Sequence, residues 1–364
     1  MTGVEADVVV VGLGVHGTAA AAELARRGHR VIGIDRFPDG HVRGSSHGRT
    51  RMIRRAYPHP VWNDLVERAY SAWDDLARES GTTLVRRTGG VYGHVGASQL
   101  QGPGCEQLAG AAEAAERMPS LRLPDGYRAV WDPAAGVLEA SDALAVLRAR
   151  ARRHGAQLRH GASVAGWDTT ASGVRVTVDG EPVRAARLVI AGGPWMGRLV
   201  PVLSGLLEVW RILTVTASAG QPVAAAPQLG AFSVDRPEGL VFGIPDVAGN
   251  GLKIGVDVGQ VWDPDEPVAA ATTAEVAQLG ELMRTYVPGV DVDGLDAAAC
   301  LYTMTADRRF IIGALAESPE VVVASACSGH GFKFGAAIGE ALADLVEDVP
   351  RPDLDFVSTA RRGL

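Results

Sequence analysis

Four consecutive valines at positions 8–11, running straight into Gly12, Gly14 and Gly17, constrain this chain more than any other feature. A β-branched run this short cannot make a helix and reads as a strand buried on both faces, the habit of a parallel sheet. The glycines match G-x-G-x-x-G, and the alanine-rich stretch Thr18 to Arg27 reads as a helix stopped at Gly28, a residue type suited to the position just past a helix end. A second strand follows over 30–34 and closes on Asp35. Strand, glycine turn, helix, strand and an acid about 20 residues on form the dinucleotide-binding fingerprint. In it the glycines allow a tight turn, close approach of a pyrophosphate and close helix-to-strand packing, while the acid accepts hydrogen bonds from ribose hydroxyls. The helix N-terminus faces the anion. This pattern alone does not separate FAD from NAD.

The remainder repeats the alternation of strand and helix. Val61, Leu65, Val66, Ala69, Trp73 and Leu76 recur at helical spacing over 61–76, which predicts an amphipathic helix. Further helices are expected over 142–154 and 335–347, and buried strands over 173–178, 187–193 and 321–324. The stretches 84–136 and 206–260 are turn-rich with short alternating runs, which suits antiparallel strands. The expected fold is α/β, α+β overall, with a Rossmann-like nucleotide domain built from 1–83, 137–205 and 296–364. An antiparallel-sheet substrate domain is inserted as 84–136 and 206–295.

With 364 residues, 47% hydrophobic and 21% charged, the chain is long enough for two well-buried cores. A net charge of -7 leaves no basic face for nucleic acid. Cys105, Cys300 and Cys327 are too scattered for a disulfide framework or a metal site, so no metal and a reducing, cytoplasmic setting are expected. The N-terminal apolar run breaks at glycine before it could span a bilayer.

Three further segments carry chemistry: GSSHGRTRMIRRAY at 44–57, CLYTMT at 300–305 and SGHGFKF at 328–334, with GLKIG at 251–255 between them. Arg54 and Lys333 suit an anionic ligand, because a guanidinium fork grips a carboxylate bidentately and an ammonium adds a second charge. His330, between two glycines ahead of a helix, sits where backbone N–H groups and the helix dipole would face an anion. Residues 44–48 formally fit the G-x-S-x-G of a hydrolase nucleophile elbow, but the polar flanks lack the strand and helix an elbow needs.

Together these segments resemble the monomeric sarcosine oxidase family of FAD-dependent amine oxidases over essentially the full length. The resemblance implies FAD rather than NAD, held by Gly12, Gly14, Gly17, Asp35, Arg36, Ser45, Gly192, Gly329 and Gly331. It implies covalent attachment through Cys300, assisted by His47 and Arg51. Arg54 and Lys333 would bind the substrate carboxylate, Lys333 lying close to the flavin as well. Lys253 would hold a water at the flavin and promote reaction with oxygen, and His330 and Tyr302 would line the reacting end. The implied reaction oxidises the C–N bond of a small secondary amino acid, N-methyl or cyclic, to an imine with release of hydrogen peroxide. A monomer is implied, with an amino acid and molecular oxygen as partners.

The sequence departs from the family pattern at Asp257, where a histidine is usual, at Phe242 for a tyrosine, at Arg49 for an acid and at Cys327 for an aromatic residue. These departures bear on the substrate. Asp257 would hold a cationic or hydroxylated group, with Phe242 beside it, whereas Arg49 and Arg55 would favour a second anionic group. Primary amino acids, cyclic imino acids and sugar-amine adducts stay open, as do an NAD-dependent dehydrogenase and a non-catalytic flavoprotein.

Overall fold

A computed structural model of the chain describes residues 5–96, 99–217 and 229–361. The valine run forms the strand Ala6–Val11, parallel to Val31–Asp35 on one side and to Glu181–Ile190 on the other. Gln157–His160 and Ser318–Ser325 extend the parallel order outward. Val8 and Val10 face one core while Val9 and Val11 face another, which is why all four positions are apolar. The first core is closed by the helices Val15–Arg26, Asn63–Ser80 and Gly335–Val346. The Rossmann-like expectation holds.

Element boundaries moved for local reasons. The first helix begins at Val15 because Gly14, extended at ψ -171°, already serves as its N-cap. The helix predicted over 61–76 runs Asn63–Ser80 after a short turn at Pro60–Trp62 and stops at Gly81. The strand predicted over 187–193 is Glu181–Ile190, and its first half pairs antiparallel with Gly173–Val178.

A second sheet, nine strands among the described residues, is built mostly from the two turn-rich stretches. Residues 218–228 of the second stretch lie outside the described residues. The pairing is antiparallel except where Gly90–His94 meets Ala231–Val234 in parallel. That seam joins segments remote in sequence, where no hairpin dictates direction. Asp296–Met304, expected in the nucleotide domain, instead pairs along nearly its whole length with Glu208–Ala217 in this sheet. Its small residues at 297–299 carry no periodicity to announce it. The chain returns to the nucleotide sheet at Ile311–Leu315.

One face of the large sheet, including Phe232, Val234, Val241 and Ile254, packs on the helix Thr273–Tyr286 through Leu279, Met283 and Tyr286. Alternate residues must then point the other way. That parity sets the site.

Candidate active site

A cavity of about 1330 Å³ extends from the glycine turn to the free face of the large sheet. At the turn, Gly12 has φ +91°, and a Cβ there would lie 2.3 Å from the Ala191 carbonyl oxygen. A Cβ on Gly17 would fall 1.8 Å from the Gly12 oxygen, so this close helix-to-strand approach tolerates no side chain. Asp35 is buried, and its two oxygens accept backbone N–H groups from Leu13 at 2.8 Å and Phe37 at 2.9 Å. Those donors orient the carboxylate and leave it lone pairs for a further ligand. Gly14 and Gly192 line the same end, while Arg36 reaches the rim and pairs with Asp265 at 2.9 Å.

Residues 44–48 form a side wall, and the loop leads into the strand Thr50–Ile53, with no strand directly before its serines and no helix directly after them. An elbow geometry is absent from it. The Ser45 hydroxyl donates to the Leu301 carbonyl, and Ser46 Oγ accepts the Val15 N–H at the helix start. Arg51 spends donors on the carbonyls of Thr50, Ser45 and His47 at 2.6–2.8 Å, so it fixes this loop while still lining the cavity. Burial, then the Arg51 charge, lowers the His47 pKa to about 4.

Strand register collects the other candidates on the cavity side. Tyr92 pairs with Ser233, Ser233 with Phe242, Phe242 with Gly255, and Ile244 with Lys253. Lys253 pairs with Thr216, which is opposite Asp296 on its other side, so Cys300 and Tyr302 share the parity. Lys253 Nζ donates to Thr50 O at 2.6 Å, and burial, then Arg51, brings its pKa down to about 7. Burial pushes the Cys300 thiol up to about 11. Both lie beside Arg51, and the cavity itself is lined there by Arg51 and Tyr302 rather than by Lys253 or Cys300.

Arg54 and Lys333 do converge. The Arg54 guanidinium lies over the rings of Tyr57 and Tyr92, 5.0 and 5.2 Å from their centroids, and has no hydrogen bond or ion pair among the described residues. Lys333 is only 5% exposed. Its Nζ donates to Tyr57 Oη at 3.0 Å and to His330 O at 2.7 Å, and burial, then the Arg54 charge, drives its pKa well down. His330 Nε2 lies 3.0 Å from Arg308 O, and Nδ1 lies 3.2 Å from Tyr57 Oη. A carbonyl only accepts, so Nε2 carries the proton, Nδ1 accepts from Tyr57, and the Tyr57 oxygen receives the Lys333 donor. Phe310 at 4.7 Å and Trp62 at 5.1 Å pack the imidazole. Burial, then Lys333, lowers its pKa to about 3. Gly329, at φ +78°, lets the loop pass the Tyr302 ring, which a Cβ would meet at 3.2 Å, and Gly331 follows against Ala326.

Asp257 lines the cavity with both oxygens engaged, one by the Leu240 N–H at 2.9 Å and one by Arg308 at 2.7 Å. Arg49 is exposed, and Arg55 is paired with Glu67 at 2.6 Å. Neither arginine is among the lining residues, so the expected extra positive charge in the pocket is not supplied by them. The sequence reading missed Tyr57 as the hub of the Lys333 network, although it closes the 44–57 segment. It also missed His94, Ser233 and Asp235, which line the cavity.

A glycine turn at a helix start, an oriented acid at the end of the next strand and a long cavity running to a cationic pair fit a bound dinucleotide with a small anionic substrate beyond it. That is the architecture of a nucleotide-dependent oxidoreductase. The chain belongs to the FAD dependent oxidoreductase family, whose model matches residues 7–345. Among curated relatives, the monomeric sarcosine oxidase of Bacillus sp. (strain B-0618) is 30% identical, covering 93% of this chain and 91% of the relative. The N-methyl-L-tryptophan oxidase of Yersinia pestis (strain Pestoides F) is also 30% identical, covering 98% and 99%. The solved structure of NikD, an unusual amino acid oxidase essential for nikkomycin biosynthesis, matches with a TM-score of 0.82 at 26% identity, covering 99% of this chain and 98% of that one. The protein is thus an FAD-dependent oxidoreductase. Among the described residues no helix is long and apolar enough to cross a membrane.

Proposed function

We propose that the protein oxidises the C–N bond of a small secondary amino acid, N-methyl or cyclic, to an imine, with oxygen as the final acceptor and hydrogen peroxide as a product. The observation carrying this reading is the unpaired Arg54 guanidinium beside buried Lys333 on one wall of the cavity. The half-buried Arg54 spends no donor on the protein among the described residues, and a substrate carboxylate would take its guanidinium bidentately. The relatives named for sarcosine and N-methyl-L-tryptophan support an N-methyl amine.

When bound, FAD would supply the two-electron acceptor for the substrate and the route from it to oxygen. The chain contributes position. Arg54 and Lys333 hold the carboxylate, Tyr57 and His330 hold Lys333, and the packed aromatic cluster around His330 keeps water out. Lys253, with its pKa lowered to about 7 by burial and Arg51, supplies an adjustable positive charge where oxygen is reduced. Cys300 would attach the flavin; it shares the sheet face with Tyr302 and lies beside Arg51, while its raised pKa means a base must first take its proton.

The test is the visible spectrum of the purified protein before and after acid precipitation, followed by anaerobic addition of N-methyl and cyclic amino acids. Yellow colour that stays with the pellet and leaves it in Cys300→Ala establishes attachment through that sulfur. Bleaching by amino acids supports the reaction, and a flavin that none of them reduces would overturn it.

A further inference from the structure

Beyond the carboxylate pair, the cavity has a second polar wall. Gly90–His94 and Ala231–Val234 run side by side in parallel, with Val234 opposite Gly93 and the Asp235 N–H donating to Gly93 O at 2.9 Å. His94 and Asp235 therefore leave the ends of adjacent strands on the same side, and both line the cavity. His94 is 4% exposed. Its Nδ1 lies 2.9 Å from Gly96 O, so that nitrogen carries the proton, and in the neutral ring Nε2 is an acceptor. Nε2 is buried and has no hydrogen-bond partner among the described residues.

The Asp235 carboxylate also has no ion pair or hydrogen bond among the described residues. It makes no direct hydrogen bond to His94, whose Nε2 is without a partner among the described residues. Partial burial, reinforced by Asp257 and opposed by nearby positive charge that includes Arg54, raises its pKa above the usual carboxylate value. A buried acceptor with no donor, as His94 Nε2 is, is costly, and Asp235, exposed at the cavity beside it, adds an anionic acceptor. Ser233, 4% exposed and on the same strand face, lines the cavity next to them. Asp257, which the sequence suggested for a cationic group, is already occupied by Arg308 and Leu240.

We propose that His94 Nε2 and Asp235 form a side-chain subsite that takes a terminal amine, so that the substrate is an amino acid whose side chain ends in an ammonium group. The inference rests on the amine-oxidase reading, with the substrate carboxylate at Arg54 and Lys333. An ammonium supplies a donor to His94 Nε2 and a counter-charge to Asp235, whereas an alkyl end leaves Nε2 without a donor. Sites built to hydrogen-bond a group discriminate sharply against analogues that lack it.

The experiment compares α-N-methyl-ornithine and α-N-methyl-lysine with their isosteres in which a methyl group replaces the ammonium, using kcat/KM and anaerobic perturbation of the flavin spectrum on binding. The expected preference is tenfold or more for the ammonium substrates. In Asp235→Asn, which keeps size and folding but loses the charge, the ratio falls toward one, and His94→Phe lowers it as well. Isosteres oxidised as well as the ammonium substrates would overturn the subsite and leave the amine-oxidase reading intact. If neither series is oxidised, the amine-oxidase reading falls. The binding perturbation still decides the subsite, since equal affinity for both series would overturn it.

Discussion

The two ends of the cavity are made of different material. The nucleotide end is largely backbone, with Gly12 and Gly17 excluding side chains and Asp35 held by two N–H groups. The far end is side chains: Arg54 between two tyrosine rings, Lys333 on Tyr57 and His330, and His94 beside Asp235. A backbone-built site recognises a group common to many enzymes and changes little as surrounding residues vary. A side-chain site is where specificity resides, because each charge must be matched by the ligand or bear the cost of burial.

This contrast breaks most visibly at the backbone end. Gly17→Val places a side chain where even a Cβ would meet the Gly12 oxygen, so the purified protein should contain less than about a tenth of the normal flavin by absorbance. A fully yellow variant would mean that the close approach is dispensable. At the other end, Arg54→Ala should keep the flavin and lower kcat/KM about a hundredfold, since losing a buried charge-assisted contact costs about 2–5 kcal/mol.

Both ends also hold histidines kept neutral by burial: His16 and His47 with pKa values of about 4, and His330 at about 3. As pH falls from about 6.5 toward 4, the unfolded chain takes up protons on these rings before the folded chain does. Stability is therefore lost on acidification through that window, and urea midpoints at pH 7 and pH 5 would measure it. Unchanged midpoints would contradict the buried, neutral assignment. The smallest effect belongs to Tyr57→Phe, which removes the acceptor for Lys333 and the donor to His330 Nδ1, each worth about 0.5–1.5 kcal/mol. It should raise KM for the amino acid by about two- to tenfold with little change in kcat. An unchanged KM would show that Lys333 does not need Tyr57.

The same division governs what was legible in the sequence. A backbone-built site leaves a compact linear pattern, so Gly12, Gly14, Gly17 and Asp35 were readable within one short stretch. The valine run could be assigned to a strand buried on both faces because both faces demanded apolar residues. The side-chain end is assembled by strand register across segments hundreds of residues apart, and no local pattern announces it. His94 and Asp235 become neighbours only through the parallel seam between Gly90–His94 and Ala231–Val234. Asp257 was visible as an unusual acid, yet its engagement by Arg308 depends on the loop that carries residues 305–310. The strand Asp296–Met304 escaped assignment to the large sheet because pairing with Glu208–Ala217, rather than hydrophobic alternation, defines it.

On the proposed function, Arg54 and Lys333 select amino acids over simple amines. The most direct measurement is the anaerobic rate of flavin bleaching by one N-methyl amino acid and by its methyl ester, which differ only in the carboxylate charge. Bleaching should be fast with the acid and at least about a hundredfold slower with the ester, a gap that closes in Arg54→Ala. Equal bleaching by acid and ester in the unaltered protein would contradict it.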